Sequence, residues 1–147
     1  MKIIFKTFSE LTTKELYQIL QLRSEVFVVE QNCVYQDIDG KDEKAIHIIG
    51  VVQNKIVAYT RCFKPGEYFK EASVGRVVVK KTERKLKRGN QIMINSIKAI
   101  EKLFKTKTII ISAQSHLIPF YNNLGFYSAG NEYLEDGIPH IEMIKNK

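Results

Sequence analysis

The sequence predicts one α/β (α+β) domain, a mixed and partly antiparallel sheet flanked by two or three helices. Three observations predict it. Strand-length apolar runs alternate with segments of helical period in the order β-α-β-β-β-α-β-α-β-β. Two neighbouring runs, Ile46 to Val52 and Ile56 to Phe63, are parted only by Gln53-Asn54-Lys55, which marks an antiparallel hairpin. The strand–basic loop–helix–strand unit from 73 to 113 is long enough for a right-handed crossover between parallel strands. At 147 residues the chain reads as a single domain, 1–147, able to bury a core without disulfide or metal staples.

Lys2 to Phe8 alternates Ile3 and Phe5 with polar neighbours and reads as a strand. Thr12 with Glu15 forms a capping box, and Leu16, Ile19, Leu20, Val26 and Phe27 follow at helical spacing, which places a helix over about 13–27 with a break near Val28 to Gln31. The polar stretch 32–44, with Asp37, Asp39 and Gly40, reads as a loop. After the hairpin, Lys64-Pro65-Gly66 ends the second strand, and Ser73 to Val79 is a third β-rich run. The basic run 80–90 precedes a helix carrying Ile92, Met93, Ile97, Ile100, Leu103 and Phe104 on or near one face. Thr108 to Ala113, continuously β-branched, predicts a strand buried on both faces. A short helix over about 117–123 ends at Leu124-Gly125; Phe126 to Leu134, a turn at Asp136-Gly137 and His140 to Ile144 complete the chain.

Composition narrows the function. Hydrophobic residues are 44% and charged residues 27%, as in soluble globular chains, and no apolar run reaches the ~18 residues a bilayer needs. Glu10 interrupts the N-terminus too early for a secretory h-region, so a cytoplasmic protein without membrane association is expected. Cys33 and Cys62 lack any C-x-x-C pairing, which argues against a metal site or redox dithiol and for two reduced thiols. The net charge of +7 points to an anionic partner without choosing among nucleic acid, membrane surface and phosphorylated ligand. A helix-turn-helix pattern, zinc ligands and an RNP-like aromatic strand are all missing, so no specific nucleic acid is expected.

The junction at 79–91 carries the most chemistry. A strand ends, a turn rich in Arg and Lys follows, and a helix begins near Gly89. Unpaired amides at a helix start, aided by the dipole, make a ready anion site. Gly89 admits a phosphate close to the backbone, and Arg84, Lys85, Lys87 and Arg88 supply charge and forked donors suited to a pyrophosphate; a plain solvated basic face is the competing reading. Downstream, Tyr121 sits on a short helix directly after the 108–113 strand. If that strand lies beside 73–79, Tyr121 faces the same crevice, and a phenol protonated at neutral pH can donate to a leaving group; an ordinary core tyrosine is the alternative.

These segments carry a family resemblance. GRVVVKKTERKLKRGN resembles motif A of the GNAT acyltransferases, whose loop reads Arg/Gln-x-x-Gly-x-Gly/Ala; here it is Arg84-Lys85-Leu86-Lys87-Arg88-Gly89, with Lys87 in place of the first glycine. FYNNLGF, Phe120 to Phe126, is similar to the Tyr-x-x-x-Gly-Phe motif, and Gln114 stands where many members carry a pantetheine-contacting Asn. LRSEVFVVEQNC (22–33), GRVVV, AQSH and EDGIPHIEM (135–143) resemble the ElaA-like branch. The resemblance implies a mixed, mostly antiparallel sheet of six to seven strands, splayed between the fourth and fifth. It also implies acetyl-CoA as cofactor. Arg84, Lys85, Leu86, Lys87, Arg88, Gly89 and Asn90 would take the pyrophosphate, with Lys87, which resists a left-handed backbone, forcing a different loop path. Val77, Val78 and Val79 would pair with the pantetheine arm, the amide of Val79 or its neighbour would polarise the thioester carbonyl, and Gln114 and Tyr121 would complete the site. Direct attack by an amine of a small molecule or peptide follows, with Tyr121 protonating the thiolate.

The general base is open among Glu25, Glu30, His47, His116 and His140, with His140 and Glu30 foremost; a water chain is another route. Loop 32–44 and segment 64–72 are expected to line the acceptor site, where Asp37, Asp39, Asp42 and Glu67 would attract a cationic amine or simply be solvated. A homodimer is within expectation for a small α/β enzyme. An acyl-CoA-binding regulatory protein without catalysis stands as the alternative.

Overall fold

The computed structural model describes residues 1–147. Its strands are β1 (Lys2–Thr7), β2 (Ile46–Val52), β3 (Lys55–Phe63), β4 (Ala72–Val79), β5 (Ile109–Gln114), β6 (Tyr127–Glu135) and β7 (Ile138–Lys145). The α-helices are α1 (Thr13–Arg23), α2 (Arg88–Phe104) and α3 (Ile118–Asn122). All seven strands form one sheet in the order β1-β2-β3-β4-β5-β7-β6. Only β4 and β5 run parallel, joined by α2 as the crossover.

Local sequence chemistry explains the elements. Gln53 and Asn54 both take a positive φ, 50° and 63°, the turn geometry that suits the right-handed twist of the strands they join. Thr12 accepts from the Glu15 amide at 3.0 Å while Glu15 accepts from the Thr12 amide at 2.8 Å, the reciprocal box expected at the start of α1. The helix departs from expectation at its other end. Regular winding stops at Arg23, and Ser24–Glu30 continues as a wider π-helical segment, so the irregularity begins four residues before Val28.

The sheet has a core on each face. Ile92, Met93, Ile97 and Ile100 of α2 pack on Ile48, Ala58, Cys62, Ile109, Ile111 and Met143. Across the sheet, Ile19, Leu22 and Val26 pack on Ile49, Tyr59 and Val78. Leu103 is 52% exposed, because α2 ends one residue later and has turned it away from the sheet. Cys33 and Cys62 are free, buried thiols, and burial pushes the Cys62 thiol up to about 12. No helix is long and apolar enough to cross a membrane.

Two features shape the cleft. The β4–β5 ladder is limited to Ala72↔Ile109 and Ser73↔Ile110, after which the strands diverge. A register shift between Tyr59 and Arg61 and a positive φ of 49° at Arg76 mark a bulge that bends β4 away. β5 is therefore not buried on both faces: Ile109, Ile111 and Ala113 are buried, while Ile110, Ser112 and Gln114 are only partly covered, because the gap leaves their face open.

The second feature is a buried charge network. Arg23 Nε donates to Asp37 Oδ2 and Nη1 to Asp42 Oδ1, each at 2.8 Å. Arg61 donates to Asp42 Oδ1 at 2.9 Å and to Asp39 Oδ1 and Oδ2 at 2.9 and 2.6 Å. Arg76 Nε lies 2.7 Å from Asp37 Oδ1. Asp37, Asp39 and Asp42 thus neither attract an amine nor sit solvated; they bind guanidinium groups and pin loop 32–44 to the sheet. Glu67 instead lies 3.6 Å from Lys44 and from Lys64 at the surface. The pairing compensates charges that burial alone would make very costly.

Candidate active site

The divergence of β4 from β5 opens a cavity of about 630 Å³, within the size range of small-molecule sites. Val74 to Val79 form one wall and Ile111, Ser112 and Gln114 the opposite one. Val78 is buried against the α1 side, and Val77 and Val79 pack toward α2, so the bent strand offers the cavity mainly its backbone edge. With β5 no longer in register, that edge is free to pair with an extended ligand.

One end of the cavity is cationic. The helix bond Gln91 N–H to Lys87 O, at 3.1 Å, is the first of α2, and no side chain caps the start. The amides of Arg88, Gly89 and Asn90 therefore lack partners within the helix. Arg88 Nε is buried with no hydrogen-bond partner, and Lys85, Lys87 and Arg88 make no ion pair. A Cβ on Gly89 would touch the Phe120 ring at 3.4 Å, so the helix start packs closely on α3. An orphaned guanidinium nitrogen beside uncapped amides fits a diphosphate. Leu86 is the exception in this set: it is 54% exposed and does not line the cavity.

Lys87 overturns one expectation. It adopts φ 59°, ψ 23°, the left-handed conformation that a glycine would take without cost, so the lysine accepts the backbone it was expected to resist, at the expense of strain. Lys87→Gly is expected to be neutral or stabilising by up to about 1 kcal/mol, and the β-branched Lys87→Val destabilising by about 1–2 kcal/mol, when urea midpoints are compared. Equal stability of the two variants would contradict the strained assignment.

Tyr121 lines the cavity from α3 and is 6% exposed. It packs edge-on against Phe120 and Phe126, with centroids 5.0 and 6.0 Å away. Burial pushes its phenol up to about 12, which keeps it protonated. Gln114 lies at the rim, and its Nε2 donates to Gln31 Oε1 at 3.3 Å.

At the far end, His140 is nearly buried, with Nδ1 2.7 Å from the Ile138 carbonyl and Nε2 3.2 Å from Glu135 Oε2. The carbonyl can only accept, which places a proton on Nδ1 and leaves Nε2 facing the Glu135 carboxylate. Ser112 hydrogen-bonds Tyr133, whose ring stacks on His140 at 6.2 Å.

The other base candidates are dispersed. Glu30 lines the cavity, but Arg84 grips it at 2.6 and 3.0 Å, and this hydrogen bonding holds its carboxyl below the usual range. His116 lines the cavity. His47 does not: it is buried between the Tyr59 hydroxyl, 2.6 Å away, and the Asp42 carbonyl, 2.9 Å away, and burial lowers its pKa. Glu25 also stands outside, 3.8 Å from Lys80. Segment 64–72 contributes nothing to the cavity, and loop 32–44 contributes Cys33 and Tyr35. The sequence alone assigns no individual site role to Ser112, Cys33, Tyr35, Glu135 or Asp136, all of which line the cavity. The hairpin signal at Asp136-Gly137, read with period-two register, would have placed Glu135 near His140.

A seven-stranded sheet splayed at its one parallel pair, with a basic helix start and a buried tyrosine at the gap, defines an acyltransferase-type α/β domain. The family model described as "Acetyltransferase (GNAT) domain" matches residues 9–147, and the chain belongs to that family. It is 42% identical over 139 residues to protein ElaA of Escherichia coli, covering 93% of this chain and 91% of that one. The structure of E. coli ElaA superposes with a TM-score of 0.92 at 39% identity, covering 99% of each chain. An acyl-CoA N-acyltransferase from Pseudomonas aeruginosa gives the same TM-score, identity and coverage. A distant fold relative, an aminoglycoside 6'-N-acetyltransferase, was solved complexed with coenzyme A (16% identity, TM-score 0.70, 97% and 96% coverage).

Proposed function

We propose that the chain is a cytoplasmic, acetyl-CoA-dependent N-acyltransferase that moves an acetyl group to an amine of a small molecule or peptide by direct attack on the thioester. The observation that carries this reading is the cationic, uncapped start of α2 facing a buried phenol across the β4–β5 gap. Acetyl-CoA, when bound, supplies an activated acyl group as its thioester. Coenzyme A bound by the distant aminoglycoside acetyltransferase supports the choice of cofactor.

The chain's own residues then divide the work. The amides of Arg88, Gly89 and Asn90, with the side chains of Arg84, Lys85, Lys87 and Arg88, hold the diphosphate. The free edge of Val77 to Val79 aligns the pantetheine arm, helped by Gln114, and the Val79 amide polarises the carbonyl. Tyr121 gives its proton to the departing sulfur. His140 takes a proton from the attacking amine at Nε2, and the Glu135 carboxylate beside it stabilises the resulting imidazolium. Glu30 is a poor proton acceptor, since Arg84 already satisfies it.

Coenzyme A at 100 times its Kd should raise stability by about 2.7 kcal/mol, read as a clear rise in Tm. Arg88→Glu should remove most of that rise by placing a carboxylate among the amides. Unchanged melting at millimolar coenzyme A would refute the cofactor. Release of free coenzyme A thiol with a panel of amines separates catalysis from binding alone.

A further inference from the structure

Glu30 and Gln31 end the π-helical segment and reach over the cleft to both of its sides. Glu30 Oε2 and Oε1 accept from Arg84 Nη1 and Nη2, residues 54 positions apart in the chain. Gln31 Oε1 accepts from Gln114 Nε2. Under the coenzyme A reading, on which this inference rests, Arg84 is one of the groups that meet the diphosphate and Gln114 one of those along the pantetheine arm. One dipeptide thus holds a cofactor contact on each side of the gap.

The charges sharpen the point. Of Arg84, Lys85, Lys87 and Arg88, only Arg84 has a carboxylate partner. The other carboxylates lining the cavity, Glu135 and Asp136, lie at the β6–β7 turn. A carboxylate and a phosphate present the same pair of acceptors to the guanidinium fork. The pair is partly exposed, 37% and 29%, so water can enter as it opens. Arg84 Nε stays anchored on the Val79 carbonyl at 3.1 Å, which holds the fork in place when its partner changes. A diphosphate seated on the α2 amides would meet the Glu30 charge as a repulsion.

We infer that Glu30 is a placeholder for phosphate: its carboxylate occupies Arg84 until the diphosphate of the incoming coenzyme takes over that guanidinium, so that Glu30 sets the affinity for the cofactor. The residue then regulates binding and takes no part in proton transfer.

Calorimetric titration of the whole chain with coenzyme A and with pantetheine, which lacks the diphosphate, tests this. Glu30→Gln keeps the size of the side chain and an acceptor for Arg84. It should bind coenzyme A about three- to tenfold tighter at low salt, with the gain shrinking as salt rises. Its affinity for pantetheine should be unchanged. Glu25→Gln, which removes an equal charge beside Lys80 but outside the cavity, should change neither. Equal or weaker binding of coenzyme A by Glu30→Gln overturns the inference, as does an equal gain from Glu25→Gln. A wild-type chain that ignores coenzyme A refutes the cofactor reading itself, whereas wild-type binding with no gain in the variant refutes the placeholder alone.

Discussion

Tyr121→Phe should lower kcat by 10²- to 10⁴-fold while leaving the Kd for coenzyme A almost unchanged. The substitution removes one oxygen and keeps the edge-on packing with Phe120 and Phe126, so the cavity wall stays in place. A burial-raised phenol is fully protonated through the physiological range and acts as an acid; it cannot serve as the base. Single-turnover release of thiol, measured beside a calorimetric titration, checks both halves of the expectation. An unchanged rate would place the proton donor elsewhere, and a lost Kd would make Tyr121 a structural residue.

Asp42→Asn should be the most damaging conservative change in the fold. The carboxylate serves Arg23 at 2.8 Å and Arg61 at 2.9 Å, and both arginines are essentially fully buried. Removing its charge leaves guanidinium groups under-compensated in the interior, at a cost of about 3–5 kcal/mol. For a chain of this size that is roughly a 10–20 °C fall in Tm. A loss under about 1 kcal/mol in urea unfolding would show that the network is not tightly coupled.

The same network gives stability a pH dependence of definite sign. Burial raises the Asp39 and Asp42 carboxyls, but hydrogen bonds and charge from Arg61 and Arg23 outweigh it and hold both below 3.8. Their stabilisation is complete above that value and disappears as pH falls through the folded-state values. His47 acts in the same direction from higher up: burial depresses it below 6.5, so the unfolded chain binds a proton that the folded chain refuses. The wild-type urea midpoint should therefore begin to fall near pH 6.5 and drop more steeply below pH 4. A midpoint flat from pH 7 to 3 would contradict these assignments.

What the sequence revealed was what lies close in the chain. The Thr12–Glu15 box, the Gln53-Asn54 turn and the strand-to-helix basic turn each depend on neighbours a few positions apart, and each lies where it was expected. The Tyr121 segment also placed its phenol on the cleft. The failures are long-range. Arg23 finds Asp37 and Asp42 across 14 and 19 positions, and nothing local distinguishes those aspartates from solvated loop residues. Arg84 meets Glu30 across 54, which turns a candidate base into an ion-pair partner. The π-helical winding after Arg23 has no residue pattern of its own, because its backbone accepts the same side chains as an α-helix. Lys87 was misjudged for a different reason: its left-handed backbone is uncommon for lysine and is maintained by the loop and helix on either side.

The two rungs at Ala72 and Ser73 make the sheet a pair of leaves stitched only at the foot. From Ser73 to Val79 the strand extends roughly 20 Å at about 3.3 Å per residue. Over that lever arm, a tilt of roughly 5° at the stitching moves the rim by nearly 2 Å, about half the width of a methyl group. A small change of angle at the stitching is thus magnified at the mouth of the cavity.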